Sequence, residues 1–389
     1  MDRPSALNME IFVPYRICPL GAHVDHQEGI VAGATLKGIG ITLSFERNRN
    51  GKVCLSSEKY PGEETRFRID DIPPPSGKWG DYARGSAYTL NKIPGRKPLR
   101  YGISGALRAN FPGGGLSSSA AVTLAYLYAL EFVNGINLSP LENIKLVRDV
   151  ENVYIGLKSG ILDQSVILLG RDTQGSLLFL DCRSMEHRTV LCRKPADYEI
   201  AIVFSGIDTR ITGTLYNRRV SECREAAKLL AGYAGINQAR PLLRDLDPDV
   251  FREHGYRLPS VLRKRAEHFF TEMERVNLGM SAWEKGDIVG FGRLVSESGR
   301  SSLVNYECGS EELAHIYGLL NSVKGVYGAR FSGAGFRGSC MALSRPGEET
   351  RQAIRHEIEK HYADKYPSCA GKYRIGFCPT GGTLGLTGK

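Results

Sequence analysis

No stretch of this chain is apolar for long enough to cross a bilayer, no two cysteines sit in CxxC spacing, and neither Gly-Lys-Ser nor Gly-Lys-Thr occurs. Each absence closes a class of function. The longest nearly unbroken apolar run, Ala120 to Leu130, is eleven residues interrupted by Thr123, where a membrane helix needs about 20; no membrane partner is expected. Nine cysteines without a CxxC pair read as reduced thiols, not as a disulfide frame or a zinc knuckle. The opening residues, MDRPSALNMEIFVPYR, lack a basic segment followed by an apolar one, so a cytoplasmic location is expected. A Walker phosphate loop is excluded. His356-Glu357 with His361 comes near a metalloprotease helix, but a spacing of five turns the second histidine about 140° off the first one's face. That segment reads as a solvated helix face.

What the chain does have is 389 residues that are 42% hydrophobic, enough for two or three domains with real cores. A formal charge of +9 admits an acidic partner: nucleic acid, an anionic surface, or a phosphorylated or carboxylated small molecule. Basic residues are interspersed with acids, as in Arg263-Lys-Arg-Ala-Glu267, and no nucleic-acid motif accompanies them, so no nucleic-acid partner is expected. Glycine is the informative excess, 45 of 389, or about 12% against a usual figure of about 7%. It clusters at residues 29–40, 113–115 and 333–338, between segments that read as strands or helices. Such clusters mark places where backbone approaches something closely or takes positive φ.

The first 110 residues read as strand-rich (Ile11 to Val13, Thr35 to Phe45, Lys52 to Ser56, Thr65 to Ile69), broken by a turn at Pro73-Pro74-Pro75-Ser76-Gly77. A helix is predicted over Ser118 to Asn134, stopping at Gly135. A second opens at Ser139-Pro140-Leu141-Glu142, which combines an N-cap serine, proline at the first helical position and a capping-box glutamate. Leu177 to Leu180 and Glu199 to Phe204 read as strands, Tyr216 to Leu230 and Ser260 to Asn277 as helices, and Val326 to Phe331 and Ser339 to Ser344 as strands flanking a glycine loop. A boundary is placed near 195, giving domains 1–195 and 196–389.

Three glycine-bearing motifs carry the chemistry. In Phe111-Pro-Gly-Gly-Gly-Leu-Ser-Ser-Ser-Ala-Ala121, three glycines and three hydroxyls precede an alanine-rich helix. The unpaired N–H groups and positive dipole end there suit phosphate, and serine hydroxyls can cap the helix or ligate Mg²⁺. Ordinary capping needs only one serine and one glycine. Gly333-Ala-Gly-Phe-Arg-Gly338 matches the dinucleotide fingerprint in form but lies between two strands late in the chain, so it reads as a loop packed on another phosphate loop or on substrate. Pro14-Tyr-Arg-Ile-Cys-Pro-Leu-Gly-Ala-His-Val-Asp-His-Gln-Glu-Gly29 reads as a polar turn after a short strand. Asp163 lies in an apolar stretch where a carboxylate is costly unless paired. Glu151 shares a helical stripe with Val147 and Tyr154, which tips it inward. Two inward acids beyond a phosphate loop suit Mg²⁺-dependent phosphoryl transfer.

Together these residues resemble the GHMP small-molecule kinases, and within them the galactokinases, over nearly the whole length. Arg16 through His26 echoes the family's first motif, Gly113 through Ala121 its second, and Gly333 through Gly338 its third; Glu151-Asn152, Gly160 to Gln164, Asp181-Cys-Arg-Ser184, Tyr216-Asn-Arg-Arg219 and Val326-Tyr-Gly-Ala-Arg330 add support. The resemblance implies an α+β fold, with an N-terminal domain like the second domain of ribosomal protein S5, a ferredoxin-like C-terminal domain and the site in the cleft. It implies ATP and Mg²⁺, in-line transfer to a sugar C1 hydroxyl, Asp163 as catalytic acid/base, and Arg16 as the cation that steadies the transferred phosphoryl group. It further implies Gly113, Gly114, Gly115, Ser117 and Ser118 as the phosphate loop, Ser119 and Glu151 as Mg²⁺ ligands, Asp25 and Tyr216 as sugar contacts, and Trp79 and Tyr82 near the adenine. Action as a monomer or weak homodimer is expected.

One departure bears on the substrate. Ala22 stands where galactokinases carry a glutamate that binds the C6 hydroxyl. Two like charges about 4 Å apart repel by roughly 4 kcal/mol at an effective dielectric of 20, so that glutamate would exclude a uronic acid. Alanine admits one, and His23, Tyr216 and Arg210 or Arg337 can donate to its carboxylate. The segments at 14–23 and 332–338 resemble plant-type galacturonokinases, so D-galacturonate is the expected acceptor. The alternatives are a galactokinase and a non-catalytic sugar and ATP sensor of the same fold.

Overall fold

The helix over Ser118–Asn134 is where packing begins. Its alanines and leucines are buried almost all round, as expected of a helix enclosed on every side, and Gly135 ends it in the left-handed conformation at φ 65. The computed structural model describes residues 9–207 and 214–388. In chain order it contains β1 (Met9–Leu20), β2 (Ile30–Asn48), β3 (Lys52–Ser57), β4 (Glu64–Arg68), α1 (Asp81–Asn91), β5 (Gly102–Ala109), α2 (Ser118–Asn134), α3 (Pro140–Asp149), α4 (Leu162–Leu169), β6 (Ser176–Asp181) and β7 (His187–Leu191). There follow β8 (Glu199–Phe204), α5 (Thr214–Tyr233), α6 (Pro248–His254), α7 (Ser260–Lys285), α8 (Ile288–Val304), α9 (Glu311–Ser322), β9 (Val326–Phe331), β10 (Ser339–Ser344), α10 (Glu348–Glu357), β11 (Arg374–Cys378) and β12 (Gly385–Gly388).

The first sheet has the order β12-β1-β2-β5-β3-β4, with β6 and β7 continuing from another part of β2. The second has the order β11-β8-β10-β9, all antiparallel. Its strands and helices run strand, helices, strand, strand, helix, strand, which is the split βαβ pattern of ferredoxin-like domains. The chain's last described strand returns to the first sheet beside β1, so the halves are tied by backbone hydrogen bonds as well as by packing.

Local signals placed many elements well. Ser139 and Glu142 form the reciprocal capping box at α3, and α2, β8, β9 and β10 begin and end where the sequence places them. Two differences matter for the site. β1 continues to Leu20 through register shifts after Pro14 and Ile17, so Arg16 lies on a strand and not in a polar turn. Glu151 lies on a π-helical turn, Val150–Ile155, and its inward tilt persists despite the changed helix type.

Glu131, near the end of α2, is buried, and its Oε1 and the Oδ1 of Asn143 both lack a partner. Burial pushes this carboxyl up to about 7. A folded-state value above the usual one means that the stability contributed by the neutral form is full below about pH 4.5 and is lost as pH rises through 7. Glu131→Gln fixes the neutral form and offers its amide N–H to Asn143. It is expected to stabilise the protein by about 1–3 kcal/mol at pH 8 and to be nearly neutral at pH 5, read as melting temperature at the two values.

Candidate active site

Arg16 organises the cleft floor. Its Nε and Nη2 both donate to one oxygen of Asp163, Oδ1, at 2.8 and 2.6 Å. Its Nη1 donates to the carbonyl of Gly115 at 3.3 Å and to the hydroxyl of Ser332 at 3.2 Å. The guanidinium is almost fully buried, whereas the Asp163 side chain keeps 32% of its surface open to the cleft. Among the described residues Oδ2 of Asp163 has no hydrogen-bond partner, which leaves one oxygen oriented by arginine and one free to meet an acceptor hydroxyl.

The loop before α2 is built for an anion. Ser117 takes a left-handed backbone at φ 61, and the helix has no side-chain cap, so its first N–H groups stay open. The Ser117 hydroxyl is buried and unpartnered, a polar group held ready for a ligand. Gly333-Ala-Gly-Phe-Arg-Gly338 lies between β9 and β10 and packs directly on this loop. A β-carbon on Gly333 would lie 2.9 Å from the Gly115 α-carbon, and one on Gly338 would overlap the Gly114 carbonyl. The Ser339 hydroxyl donates to the Gly114 carbonyl at 2.7 Å. These glycines therefore let two backbones touch, and the strand on either side rules out a dinucleotide-binding turn.

Three carboxylates converge here. Burial raises Asp25 to about 6, with the charge of Asp163 adding to the shift and the amides of Leu162 and His26 opposing it. Burial likewise raises Glu151 to about 7; hydrogen bonds from Ser159 and Ser119 oppose this, and Asp163 adds to it. Among the described residues only Arg16 forms an ion pair with any of the three. Asp25 accepts the N–H of Leu162 at 3.4 Å and lies so close to Gly160 that a β-carbon there would collide with its carboxylate. It thus holds the start of the helix that carries Asp163.

Ser119 and Glu151 both line the cleft and offer hard-oxygen donors of the type Mg²⁺ takes alongside nucleotide phosphates. No cluster of three His, Cys, Asp or Glu side chains suited to a metal occurs among the described residues. The residues present therefore fit a cation shared between protein and phosphate better than a closed protein cage.

Ala22, His23, Asp25, Tyr216 and Arg337 line one cleft of about 910 Å³ with Arg16, Asp163 and the phosphate loop. The His23 ring stacks on Tyr306 at 4.4 Å, and its Nε2 lies 3.3 Å from Cys308 Sγ. Burial holds His23 well below its usual range, so it lines the cleft as a neutral ring. Tyr216 is raised well above its usual range by burial and then by Asp25 and Asp163, which keeps its phenol a donor. Arg337 is exposed on the cleft rim and makes no hydrogen bond or ion pair among the described residues. Arg210 lies outside the described residues.

Away from the acids, Trp79 stacks on Tyr60 with centroids 6.0 Å apart and planes 8° from parallel, and both line the cleft with Tyr82, Lys59, Lys78 and Arg108. Asp81 draws in the amides of Ser76 and Lys78 at 3.0–3.1 Å, pinning the loop that presents Trp79. Tyr60, Asp81, Lys78 and Arg108 are not among the residues that the sequence motifs point to. Only Asp81 carries a local signal there, an acid at a helix start after a Pro-Gly turn.

Comparison with known proteins places the chain in a family. The models for the GHMP kinases N terminal domain and the GHMP kinases C terminal match residues 81–171 and 280–364. The chain is 42% identical to a galacturonokinase of Arabidopsis thaliana, over 95% of this chain and 92% of the relative. It is 31% identical to a galactokinase of Roseiflexus sp., over 90% and 86%. The structure of Lactococcus lactis galactokinase complexed with galactose superposes with a TM-score of 0.84 at 28% identity, over 97% of this chain and 94% of that one. Methanococcus jannaschii mevalonate kinase shares the fold, with a TM-score of 0.66 at 18% identity over 97% and 99%. By these family models and by likeness to relatives over nearly its whole length, the chain belongs to the GHMP kinase family, in its sugar-kinase branch.

Proposed function

We propose that this protein transfers the γ-phosphoryl group of ATP to the C1 hydroxyl of D-galacturonate, giving α-D-galacturonate 1-phosphate and ADP. The observation that carries the substrate choice is Ala22, a small neutral side chain in the cleft wall where a galactokinase-type glutamate would repel a C6 carboxylate. The likeness to a relative named galacturonokinase supports the same reading. Arg337 on the rim supplies the charge the carboxylate would meet. The galactokinases among its relatives and the galactose-bound neighbour support galactose as the second reading.

In this mechanism the nucleotide lies along the cleft, with its base toward Tyr60 and Trp79 and its phosphates at Gly113, Gly114, Gly115 and the hydroxyls of Ser117 and Ser118. Asp25 and Tyr216 hold the sugar so that its C1 hydroxyl faces Oδ2 of Asp163. Asp163 accepts the hydroxyl proton as the C1 oxygen attacks phosphorus and the bond to ADP breaks. Arg16, anchored on Asp163 and the Gly115 carbonyl, lies between base and phosphate and offsets charge developing on the transferred group. Ser119 and Glu151 would hold Mg²⁺, which neutralises phosphate charge when bound. Residues 1–195 and 196–389 serve as the two halves that contribute to the cleft.

Phosphorus NMR of the protein with ATP, Mg²⁺ and galacturonate tests the reaction. A sugar 1-phosphate resonance appearing with ADP is expected, and ATP left intact or hydrolysed only to inorganic phosphate would overturn the reading. Arg337→Ala is expected to raise KM for galacturonate about tenfold, the effect of one hydrogen bond to a charged group, and to leave KM for galactose within about twofold. Equal effects on both sugars would remove Arg337 from carboxylate recognition.

A further inference from the structure

The wall that carries Ala22 is held from behind by the other half of the chain. Glu272 on α7 is fully buried, and its Oε1 accepts the backbone N–H of Gly21 at 2.8 Å and that of Ala22 at 3.3 Å. One turn earlier on the same helix face, His268 places Nε2 3.0 Å from the Ala22 carbonyl and Nδ1 2.9 Å from the Ser301 hydroxyl. A carbonyl only accepts, so Nε2 carries the proton and Nδ1 accepts from Ser301. Both polar groups of Ala22 are thus fixed by α7, across 250 and 246 residues of sequence.

The clamp is itself braced. Ser298 donates to Glu272 Oε1 at 2.5 Å, Arg275 donates to Oε2 at 2.8 Å, and the buried Arg330 lies 3.7 Å from Oε1 while contacting Ser298 and Ser302. Burial alone would raise the Glu272 carboxyl, but Arg275 and Arg330, with the Ser298 hydrogen bond, help to outweigh it and bring it to about 2. The turn is a tight one: Gly21 and His23 both take left-handed backbone, at φ 83 and 62, a conformation uncommon for residues that carry a side chain. Neither His268 nor Glu272 lines the cleft.

We infer that His268 and Glu272 are positioning residues for sugar recognition, fixing the Ala22 peptide and so the width of the pocket at the sugar's C6 substituent. The inference rests on the sugar-kinase reading above. It predicts a selective fault in sugar binding, since the nucleotide and the Asp163–Arg16 pair are held by other contacts.

The test is steady-state kinetics and melting temperature for the wild type, His268→Phe, His268→Gln and Ser298→Ala. His268→Phe is expected to raise KM for galacturonate about tenfold, the effect of one lost buried hydrogen bond, with kcat and KM for ATP within about twofold. Glutamine, whose amide nitrogen reaches the position of Nε2, is expected to restore the sugar KM to within about threefold. Ser298→Ala, which removes a donor to Glu272, is expected to raise the same KM several-fold and keeps the test decisive should the phenylalanine variant fail to fold. A sugar KM unmoved in Ser298→Ala and His268→Phe overturns the inference. So does a parallel rise in both KM values with a fall in kcat and melting temperature in the phenylalanine and glutamine variants alike. A wild type that phosphorylates neither galacturonate nor galactose sinks the kinase reading instead, whereas an active wild type with flat sugar KM across the variants sinks only the clamp.

Discussion

Asp163→Asn is expected to lower kcat by about 10³-fold while KM for both substrates stays within a few-fold. The geometry makes this substitution unusually clean. Both donors from Arg16 converge on Oδ1, an oxygen that asparagine retains, so the arginine keeps its anchor and its contacts with Gly115 and Ser332. What changes is the free oxygen, which becomes an NH₂ group unable to accept the proton of the C1 hydroxyl. Rapid-quench or steady-state rates together with a melting curve separate loss of the base from loss of structure. A variant that keeps more than about a tenth of wild-type kcat would show that Asp163 positions the acceptor without taking its proton.

Ala22→Glu carries the second large effect. The Ala22 peptide is fixed by Glu272 and His268 through its backbone, so the substitution changes the cleft wall while leaving its support intact. A carboxylate there would face the C6 carboxylate of a uronic acid. At about 4 Å and an effective dielectric of 20 the repulsion is about 4 kcal/mol; water in an open cleft reduces it, so a fall of about 10²-fold in kcat/KM for galacturonate is expected. Galactose, whose C6 hydroxyl can donate to the new side chain, is expected to gain. Competition between the two sugars in one reaction reads the ratio directly, and an unchanged ratio would make Ala22 incidental to specificity.

The charge that opens the substrate question is not spread evenly through the cleft. Five cations (Arg16, Lys59, Lys78, Arg108 and Arg337) line it with five acids (Asp25, Glu58, Asp81, Glu151 and Asp163), so the cleft carries no formal surplus. Lys59 and Lys78 lie with the stacked Tyr60–Trp79 pair, and Arg16 and Arg337 lie beside the glycine loop before α2, while Asp25, Glu151 and Asp163 cluster together. The overall +9 is therefore mostly a property of the outer surface.

Some of this arrangement is legible in sequence because it is local. The capping box at Ser139, the glycine stop after α2 and the strands around the third glycine motif are written within a few residues, and each lies where its chemistry demands. The open start of α2 is legible for the same reason: three serines exceed what capping needs, and in the structure Ser117, at the N-cap, does not cap the helix by its side chain. Arg16 was harder to place. Its neighbours look like a polar turn, and only pairing with Asp163, 147 residues away, makes a buried arginine on a strand affordable. The short helix α1 and strand β5 are obscured by internal glycines, which in the fold permit close packing, Gly85 against Val150 and Gly105 against β2. Least legible of all are His268 and Glu272, which in sequence look like polar positions on a long helix and acquire meaning only when α7 is laid behind Ala22.

The central claim is that a neutral wall at Ala22, held by α7 in a cleft that Arg337 also lines, makes this sugar kinase selective for an acid. The most direct measurement is kcat/KM for D-galacturonate and D-galactose under identical ATP and Mg²⁺. A preference for galacturonate of about tenfold or more is predicted, corresponding to at least about 1.4 kcal/mol of discrimination in the transition state; a preference for galactose would contradict it.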